Sequence, residues 1–334
     1  MTPLLRVRRS HGGVLLQDGG RLGAQATGYV RSGVLDLPSA WLAQALVGNV
    51  ADSAEFSPAR FYRPLPCIEI SGGNVEFECL SAMTIAHVGA FGPMFVNDLP
   101  VAVGQALHVK AGDVLRIGFY RLGLRGYLAI AGRLQLEMNF ASCARVDASG
   151  RPKPLQDGEI LYGNPSPNAS QQPAKRRHSL PYSIQHALLP PPALTLDYLP
   201  LAASFDADNA QQQLAQKIFK VSAQSNRMGV RLQGAALAKP QSSAMYSEAL
   251  SLGTIQLPAN GQPIVLLNDH QTIGGYPRIG TVASYSLYAL AQQRPGQFVR
   301  FQAVDLATLQ HKRDICWRWL WQQLAKFTAP DTAD

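Results

Sequence analysis

Apolar and polar positions alternate with a period of two over much of the first 160 residues. In the stretch VLRIGF, residues 114–119, the apolar Leu115, Ile117 and Phe119 alternate with a second set of positions that includes Arg116. This is the pattern of a half-exposed strand. Runs such as SGGNVEFE combine β-branched and aromatic residues with glycine and asparagine turn residues. The pattern therefore predicts many short strands joined by tight turns.

Three segments have the period of an amphipathic helix instead. They are Ser39–Val47, the stretch NAQQQLAQKIF at 209–219, and the stretch HKRDICWRWLWQQLAKF at 311–327. The third holds three of the four tryptophans. We expect it to pack on its own domain, because tryptophans on a basic helix commonly insert into a hydrophobic core. A helix that docks on a partner or a membrane surface is the alternative. The predicted fold class is mainly β with a few helices.

The chain shows a division into two halves. The stretch NPSPNASQQPAKRRHSLPYS is nearly devoid of apolar residues and contains four prolines, as in a loop or linker. On either side of it, VLLQDGGRLG at 14–23 resembles VLLNDHQTIGG at 265–275, which favours two related β-rich domains. We predict a first half at 1–163, a linker at 164–192, a second half at 193–308 and a tryptophan-rich tail at 309–334.

Composition and charge narrow the class of protein. With 334 residues, 46% hydrophobic and 16% charged, the chain can bury a sizeable core. A net charge of +8 lies partly in three short basic runs, but no nucleic-acid-binding module accompanies them. No segment has 18 uninterrupted apolar residues or a signal peptide's apolar region. We expect a cytoplasmic protein without nucleic-acid or membrane partners.

Several cofactor and catalytic motifs are missing from the sequence. It has no phosphate-binding G-x-x-x-x-G-K-[ST] loop, no G-x-G-x-x-G, no G-x-S-x-G and no H-E-x-x-H. Its four cysteines form no C-x-x-C pair, which predicts free thiols and no metal site. ATP would therefore bind through an atypical phosphate-binding loop or at a site on another chain.

The stretch LLNDHQTIGGYPRIGTV, residues 266–282, has the densest candidate chemistry. Asp269 and His270 are candidates for acid–base chemistry, and Gly274 and Gly275 would let backbone amides approach an anion. A hairpin turn also needs glycines and polar residues, but solvated turns rarely combine so many chemical types. The anchoring groups of this stretch are Gln271, Thr272 and Arg278.

Two other stretches carry candidate residues. In SNRMGVRL, Arg227 can clamp a carboxylate or phosphate with its planar fork, or it can pair with a structural carboxylate; both interpretations stay open. In YVRSGVLD, Ser32 and Gly33 precede Asp36. A turn or helix cap ahead of SAWLAQAL is the favoured interpretation of that aspartate.

At these motifs the chain resembles a known family. The segments that carry the resemblance are LLQDGGRLGAQATGYVRSGVLD, VKAGDVLRIG, QSNRMGVRLQG, GTIQLPANGQPIVLLNDHQTIGGYPRIGTV and LAQQRPGQFVRF, in this order over about residues 4–305. They are similar to subunit 2 of the allophanate-hydrolase-like, biotin-dependent carboxyltransferase-domain proteins. This family includes KipA-like proteins and the C subunits of prokaryotic ATP-dependent 5-oxoprolinases (PxpC).

The resemblance implies two tandem cyclophilin-like β-barrel halves, with the family's site at their junction. It implies catalytic roles for four positions and substrate binding for ten. The catalytic positions are Asp269, Gln271, Thr272 and Arg278. The substrate-binding positions are Ser32, Gly33, Asp36, Asn226, Arg227, Met228, Gly274, Gly275, Tyr276 and Pro277.

This chain departs from the family's pattern at two single positions and in two runs of the N-terminal half. Asn226 stands where the family usually has aspartate, and Arg278 stands where it usually has lysine. The run NFASCARVDASGR at 139–151 replaces a G-S-R-S-T-Y-like run, and SGVLDL replaces SGAMDP at 32–37. The segment around 266–282 is therefore the best-matched part of the expected site.

Three functions follow from the resemblance. The first is the C subunit of an ATP-dependent 5-oxoprolinase complex, a hydrolase active only with a KipI-like B subunit and a lactam-utilisation A subunit, with ATP supplied through the complex. The second is carboxyl transfer to urea or a similar amide, for which partners must supply biotin, since the chain has no A-M-K-M carrier motif. The third is a KipA-type regulatory binding protein without its own catalysis.

Overall fold

A computed structural model describes residues 2–11, 13–50, 64–147, 150–166, 179–201, 207–238 and 247–328, without the side chains of 207–209. Over these ranges strands predominate and helices are few, so the predicted mainly β class is confirmed. Contacts divide the chain into two compact units. Unit 1 comprises the described parts of Met1–Arg21, Ser32–Leu189 and Trp319–Asp334. Unit 2 comprises those of Leu22–Arg31 and Pro190–Arg318.

Unit 1 is built from two antiparallel sheets. The seven-stranded sheet has the order β11-β12-β1-β4-β9-β6-β7, and the five-stranded sheet has the order β2-β3-β10-β5-β8. The strands are β1 (Thr2–Arg9), β2 (Val14–Gln17), β3 (Cys67–Ser71), β4 (Gly73–Cys79), β5 (Met83–Phe91), β6 (Met94–Val96), β7 (Leu99–Val101), β8 (Ala106–Val109), β9 (Val114–Phe119), β10 (Leu122–Ile130), β11 (Gly132–Gln135) and β12 (Ile160–Pro165).

Both sheets contribute to one hydrophobic core. Leu5 and Phe77 of the seven-stranded sheet and Ile68 and Leu128 of the five-stranded sheet belong to a single buried cluster. The predicted alternation in β9 is confirmed at Leu115 and Ile117, which are buried. Phe119 is exposed because it ends the strand.

A buried helix, α1 (Leu37–Leu46), confirms the helix predicted at Ser39–Val47. It begins two residues early because Asp36 caps it: the carboxylate accepts hydrogen bonds from Ser39 N at 3.2 Å and Ser39 Oγ at 2.6 Å. An aspartate that accepts from the third residue onward satisfies one of the free N–H groups of the first turn. The interpretation of Asp36 as a helix cap is therefore confirmed.

Unit 2 is a closed barrel of seven strands, in the order β13-β20-β17-β18-β15-β14-β21. The parallel pairing of β13 with β21 closes it, and the other pairings are antiparallel. A two-stranded sheet of β16 and β19 lies outside the barrel order. The strands are β13 (Ala193–Pro200), β14 (Phe219–Val221), β15 (Gly229–Gln233), β16 (Glu248–Ala249), β17 (Thr254–Gln256), β18 (Ile264–Leu266), β19 (Ile273–Gly274), β20 (Arg278–Val282) and β21 (Phe298–Ala303).

The remaining helices are short except for the last. Of the predicted linker at 164–192, residues 167–178 lie outside the described part of the chain, and Tyr182–Ala187 form a helix. The tail predicted as a helix is one, and Leu320, Leu324 and Phe327 on it are buried. The helices after α1 are α2 (Tyr182–Ala187), α3 (Ala207–Gln216), α4 (Ser284–Ala291) and α5 (Leu306–Thr328), and a 3-10 helix spans Ala24–Thr27.

Candidate functional site

In unit 1 a buried carboxylate lies just beyond the end of β2. Asp18 accepts hydrogen bonds from Gly20 N at 2.8 Å, Ser142 Oγ at 2.6 Å and Cys143 N at 2.7 Å. These bonds satisfy both oxygens of a group that is 5% exposed, as a buried charge requires. The run at 139–151, which replaces the family's usual sequence, thus supplies two of these three partners of Asp18.

The backbone at Ser32 and Gly33 closes over the same strand end. Both residues have positive φ, 55° and 89°. Gly33 N donates to Gln17 Oε1 at 2.8 Å, and a Cβ on Gly33 would lie 2.8 Å from Gly20 N. Only glycine fits this close approach. In this arrangement Ser32 and Gly33 support the loop, and their contact with a substrate stays a prediction.

Asp36 also joins a buried hydrogen-bond chain. Its N–H donates to the Tyr127 hydroxyl at 2.8 Å, and that hydroxyl donates to Glu69 Oε2 at 2.9 Å. Arg125 Nε lies 3.7 Å from Glu69 Oε1. Burial, and then the charge of Glu69, raises the pKa of Tyr127, so this phenol stays protonated and donates. The cluster fixes the start of α1 rather than offering a reactive group.

In unit 2 Arg227 and Asp269 form a buried bidentate ion pair. Arg227 Nε lies 2.7 Å from Asp269 Oδ2, and Nη2 lies 3.2 Å from Oδ1. Their side chains are 7% and 0% exposed. Of the two open interpretations of Arg227, the structure shows the pairing with a structural carboxylate. Both oxygens of Asp269 are engaged, so direct catalysis by Asp269 stays a prediction that requires the pair to separate.

Asn226 and Met228 flank this pair on an exposed turn. Asn226 Oδ1 accepts from Met228 N at 2.8 Å, which is an Asx-type turn. The Met228 side chain is 42% exposed. Asn226 therefore performs the turn-forming role that an aspartate would also perform, and Met228 presents an apolar surface beside the pair.

His270 is held inside unit 2. Its Nδ1 lies 2.6 Å from Gln271 O and its Nε2 lies 3.2 Å from Gln25 Nε2. Burial lowers the pKa of His270, with Arg31 adding to the shift against a raising effect of the Gln271 carbonyl and Asp269. A fully buried, neutral imidazole with both nitrogens contacted orients the loop.

The residues after His270 are more accessible. Gln271, Thr272, Gly274 and Gly275 are partly exposed, and Thr272 O accepts from Leu250 N at 2.9 Å. Gln271 Nε2 donates to Gln256 Oε1 at 3.5 Å, a long bond. The side chains that can meet a ligand in this segment are therefore an amide and a hydroxyl.

Arg278 and Tyr276 complete the accessible part of the segment. Arg278 forms an ion pair with Glu248, and both side chains are partly exposed, 32% and 52%. Tyr276 is 47% exposed, and Pro277 O accepts from Leu257 N at 2.9 Å, which fixes the turn before β20. This cluster can bind a small anion beside an amide group, since it combines a guanidinium, a carboxamide and glycine backbone.

Several partners of these residues carry no sequence signal of their own. The first group, Asp18, Glu69 and Tyr127, is buried in unit 1. In unit 2, Gln25, Glu248 and Gln256 lie outside the stretch 266–282. Their contacts in the folded chain identify them as partners.

The described ranges contain neither a metal-ligand cluster nor a membrane-spanning helix. Within the described ranges, no three His, Cys, Asp or Glu side chains are grouped as metal ligands would be. Within the same ranges, no helix has the length and apolar character to cross a membrane.

Comparison with known proteins identifies the family. The model of the carboxyltransferase domain, subdomain A and B, matches residues 27–303. The chain is 33% identical to the 5-oxoprolinase C subunit of Escherichia coli, over 91% of this chain and 92% of that protein. It is 30% identical to the 5-oxoprolinase C subunit of Haemophilus influenzae, over 90% of this chain and 92% of that protein.

More distant relatives match in sequence, and solved structures match in fold. Urea amidolyase of Lachancea kluyveri is 26% identical over 86% of this chain but only 16% of its own length. The crystal structure of TTHA0988 matches with a TM-score of 0.75 and 30% identity, over 90% of this chain and 56% of that one. Urea carboxylase of Kluyveromyces lactis matches in fold, with a TM-score of 0.78 at 22% identity, over 100% of this chain and 30% of that one. The chain belongs to the carboxyltransferase-domain family with subdomains A and B, and over most of its length it is similar to the C subunit of 5-oxoprolinase.

Proposed function

We propose that this chain is the C subunit of an ATP-dependent 5-oxoprolinase complex, a hydrolase component that supports the opening of 5-oxoproline to glutamate. One observation carries the proposal. The two relatives named as 5-oxoprolinase C subunits correspond to this chain over nearly their whole length, 92% each. The urea amidolyase relatives are less similar, and the chain covers only 16% of them.

The proposal requires partner proteins. We assign a KipI-like B subunit and a lactam-utilisation A subunit, and we place ATP in the assembled complex, since the sequence has no phosphate-binding loop motif. A cytoplasmic location fits the use of ATP and the four free thiols.

The accessible cluster of unit 2 suits a small lactam acid. Arg278 can exchange Glu248 for the substrate's carboxylate, because an exposed ion pair contributes little stability. The N–H of Gly275, which lies just beyond the pairing of β16 with β19, can stabilise the negative charge that develops on the lactam oxygen during attack. Gln271 and Thr272 orient the ring, and the Arg227–Asp269 pair holds the segment in place.

Two other functions compete with this one. Carboxyl transfer to urea is supported by the fold shared with urea carboxylase, but it needs biotin from partner chains. A KipA-type regulatory protein would bind a KipI-like protein without contributing to chemistry. A carboxyltransferase would transfer a carboxyl group from carboxybiotin. A regulatory protein would keep its function when residues of the accessible cluster are substituted.

Reconstitution tests the proposal. The purified chain is mixed with the KipI-like and lactam-utilisation partner proteins, ATP and 5-oxoproline, and glutamate and ADP are measured. We expect both products only when all three proteins are present. Absence of turnover with proteins shown to be folded and assembled would overturn the proposal.

Matched variants separate a component of the enzyme from a scaffold. We expect Arg278→Ala to lower turnover at subsaturating substrate at least tenfold, since a lost charge-assisted hydrogen bond costs about 1.5–3 kcal/mol. The control is Arg300→Ala, which removes an exposed arginine from β21 of the same barrel. Equal activity of both variants would favour the regulatory role.

A further inference from the structure

Gln256 is a buried polar residue that the expected site does not include. It ends β17 and is 1% exposed. Its Oε1 accepts from Gln271 Nε2 at 3.5 Å. Its Nε2 has no hydrogen-bond partner among the residues that the structure describes. A buried amide nitrogen without a partner destabilises the fold, so its presence calls for a reason.

The two carboxamides converge on Gly274. A Cβ on Gly274 would lie 2.7 Å from Leu250 Cδ1, 3.1 Å from Gln256 Nε2 and 3.3 Å from Gln271 Nε2. The backbone at Gly274 does not have a positive φ, so the backbone conformation itself does not require glycine. Glycine is needed here because the backbone packs directly against Leu250 and the two amides.

The two amides adjoin the cation of the accessible cluster. Gln256 is the cross-strand neighbour of Arg278, and Gly274 is that of Glu248, the ion-pair partner of Arg278. A guanidinium that can bind a carboxylate thus lies beside a pair of carboxamides. The combination matches a small molecule that carries both a carboxylate and a cyclic amide.

We propose that Gln256 is a positioning residue that fixes the orientation of the Gln271 carboxamide and so makes Gln271 Oε1 the acceptor for the N–H of a lactam substrate. Because nitrogen and oxygen share one amide carbon, binding Gln271 Nε2 to Gln256 sets the direction of Oε1. Arg278 then holds the substrate's carboxylate. This inference rests on the proposed function, since it names how the same site recognises its substrate.

The test compares two substrates in the reconstituted complex: 5-oxoproline, and N-methyl-5-oxoproline, which lacks the lactam N–H. Gln256→Met keeps the length of the side chain but removes the acceptor, and Gln256→Glu keeps an acceptor oxygen. We expect Gln256→Met to raise KM for 5-oxoproline about tenfold with little change in kcat, since one hydrogen bond is lost from binding. It should also reduce the preference for 5-oxoproline over the methylated substrate, and Gln256→Glu should restore part of both.

The matched control is Gln293→Met. Gln293 is also buried in unit 2, at 2% exposure, and its Oε1 has no partner among the described residues. Both methionine variants should lower the melting temperature, but only Gln256→Met should change KM and substrate preference. If both leave KM and preference unchanged, Gln256 has only a structural role and the inference is wrong.

Failure of the proposed function has a different signature. In that case the wild-type complex does not turn over 5-oxoproline. Ligand-observed NMR on the purified chain then measures the binding of two probes, 5-oxoproline and urea. Binding of either probe that weakens in Gln256→Met and persists in Gln293→Met would support the positioning role. Absence of binding of both probes to the wild type would overturn it.

Discussion

Arg227 and Asp269 join two segments that are 42 residues apart through a bidentate ion pair with an Nε–Oδ2 distance of 2.7 Å. Arg227 lies just before β15, and Asp269 lies three residues after β18. The two strands pair, and Asp269 N donates to Arg227 O at 3.0 Å, which continues the pairing beyond the strands. The ion pair therefore sets where the accessible segment 271–278 begins.

Removing one member of this pair should destabilise unit 2. We expect Asp269→Ala to lower the free energy of unfolding by about 3–5 kcal/mol, because it leaves the Arg227 charge buried without its carboxylate. The double variant Arg227→Met/Asp269→Leu should recover much of this loss, since it removes both charges. Urea denaturation followed by circular dichroism measures both values. A loss below about 1 kcal/mol for the single variant would contradict the structural role.

The exposed pair of Arg278 and Glu248 should behave differently. We expect Glu248→Gln to change the free energy of unfolding by less than about 1 kcal/mol, since exposed ion pairs are weak. In the reconstituted complex it should lower KM for 5-oxoproline, because it frees Arg278 for the substrate's carboxylate. Steady-state kinetics checks this. An increase in KM would show that Glu248 itself assists binding.

Two glycines with the same backbone conformation offer a matched test in unit 1. Gly33 has φ 89° and Gly112 has φ 90°, but a Cβ would lie 2.8 Å from Gly20 N at the first and meets nothing within 4 Å at the second. We expect Gly112→Ala to cost about 1 kcal/mol from backbone strain alone, and Gly33→Ala to cost at least about 2 kcal/mol more. Thermal unfolding compares them. Equal losses would mean that the loop moves to accept the methyl group.

The buried His87 should make unit 1 sensitive to acid. Burial lowers the pKa of His87 from 6.5 to about 4. Between these pH values the unfolded chain binds a proton that the folded chain does not, so stability falls as the pH falls through this window. The total effect is about 3 kcal/mol. Urea unfolding at pH 4.5–7 should show a shallower pH dependence for His87→Gln than for the wild type.

A control for this pH dependence lies in the same unit. His108 is exposed on β8, so His108→Gln, which removes an imidazole from the surface of the same unit, is the control variant. His270, whose pKa burial also lowers, contributes to the slope from unit 2, so the dependence should not vanish in His87→Gln. An unchanged slope in His87→Gln would contradict the prediction.

The four cysteines should differ in reactivity. Cys67, Cys79 and Cys143 are buried, whereas Cys316 is exposed. Burial raises the pKa of Cys79 to about 12 and also raises that of Cys67, so these thiols stay protonated and unreactive. A thiol reagent should label one cysteine in the native protein and four in urea, as counted by mass spectrometry. Native labelling that persists in Cys316→Ser would contradict this assignment.

Local patterns were sufficient for much of the fold. The alternation of apolar and polar residues with a period of two predicted β9. The capping residue Asp36 and the apolar residues that follow it predicted α1. These elements depend on interactions between residues close in sequence, which a pattern records directly. The resemblance added the family and gave further support to the segment 266–282 as a site.

The partners of the site residues were not predictable in the same way. Gln256 is a polar residue in a short strand whose three residues are all buried, and a register shift lies between Ile255 and Gln256 where β17 pairs with β20. A one-residue shift moves a side chain to the other face of a sheet. Its position behind Gly274 therefore depends on strand pairing that no local pattern encodes.

The sequence by itself determined the mainly β class, the helix at Leu37–Leu46 and the chemistry available between Asp269 and Arg278. The tertiary structure decided which of those groups are already engaged. It paired Asp269 with Arg227, enclosed His270 and left Gln271 and Arg278 accessible. The physical reason is that a buried charge must find a partner, and the partner of Asp269 lies 42 residues away in sequence.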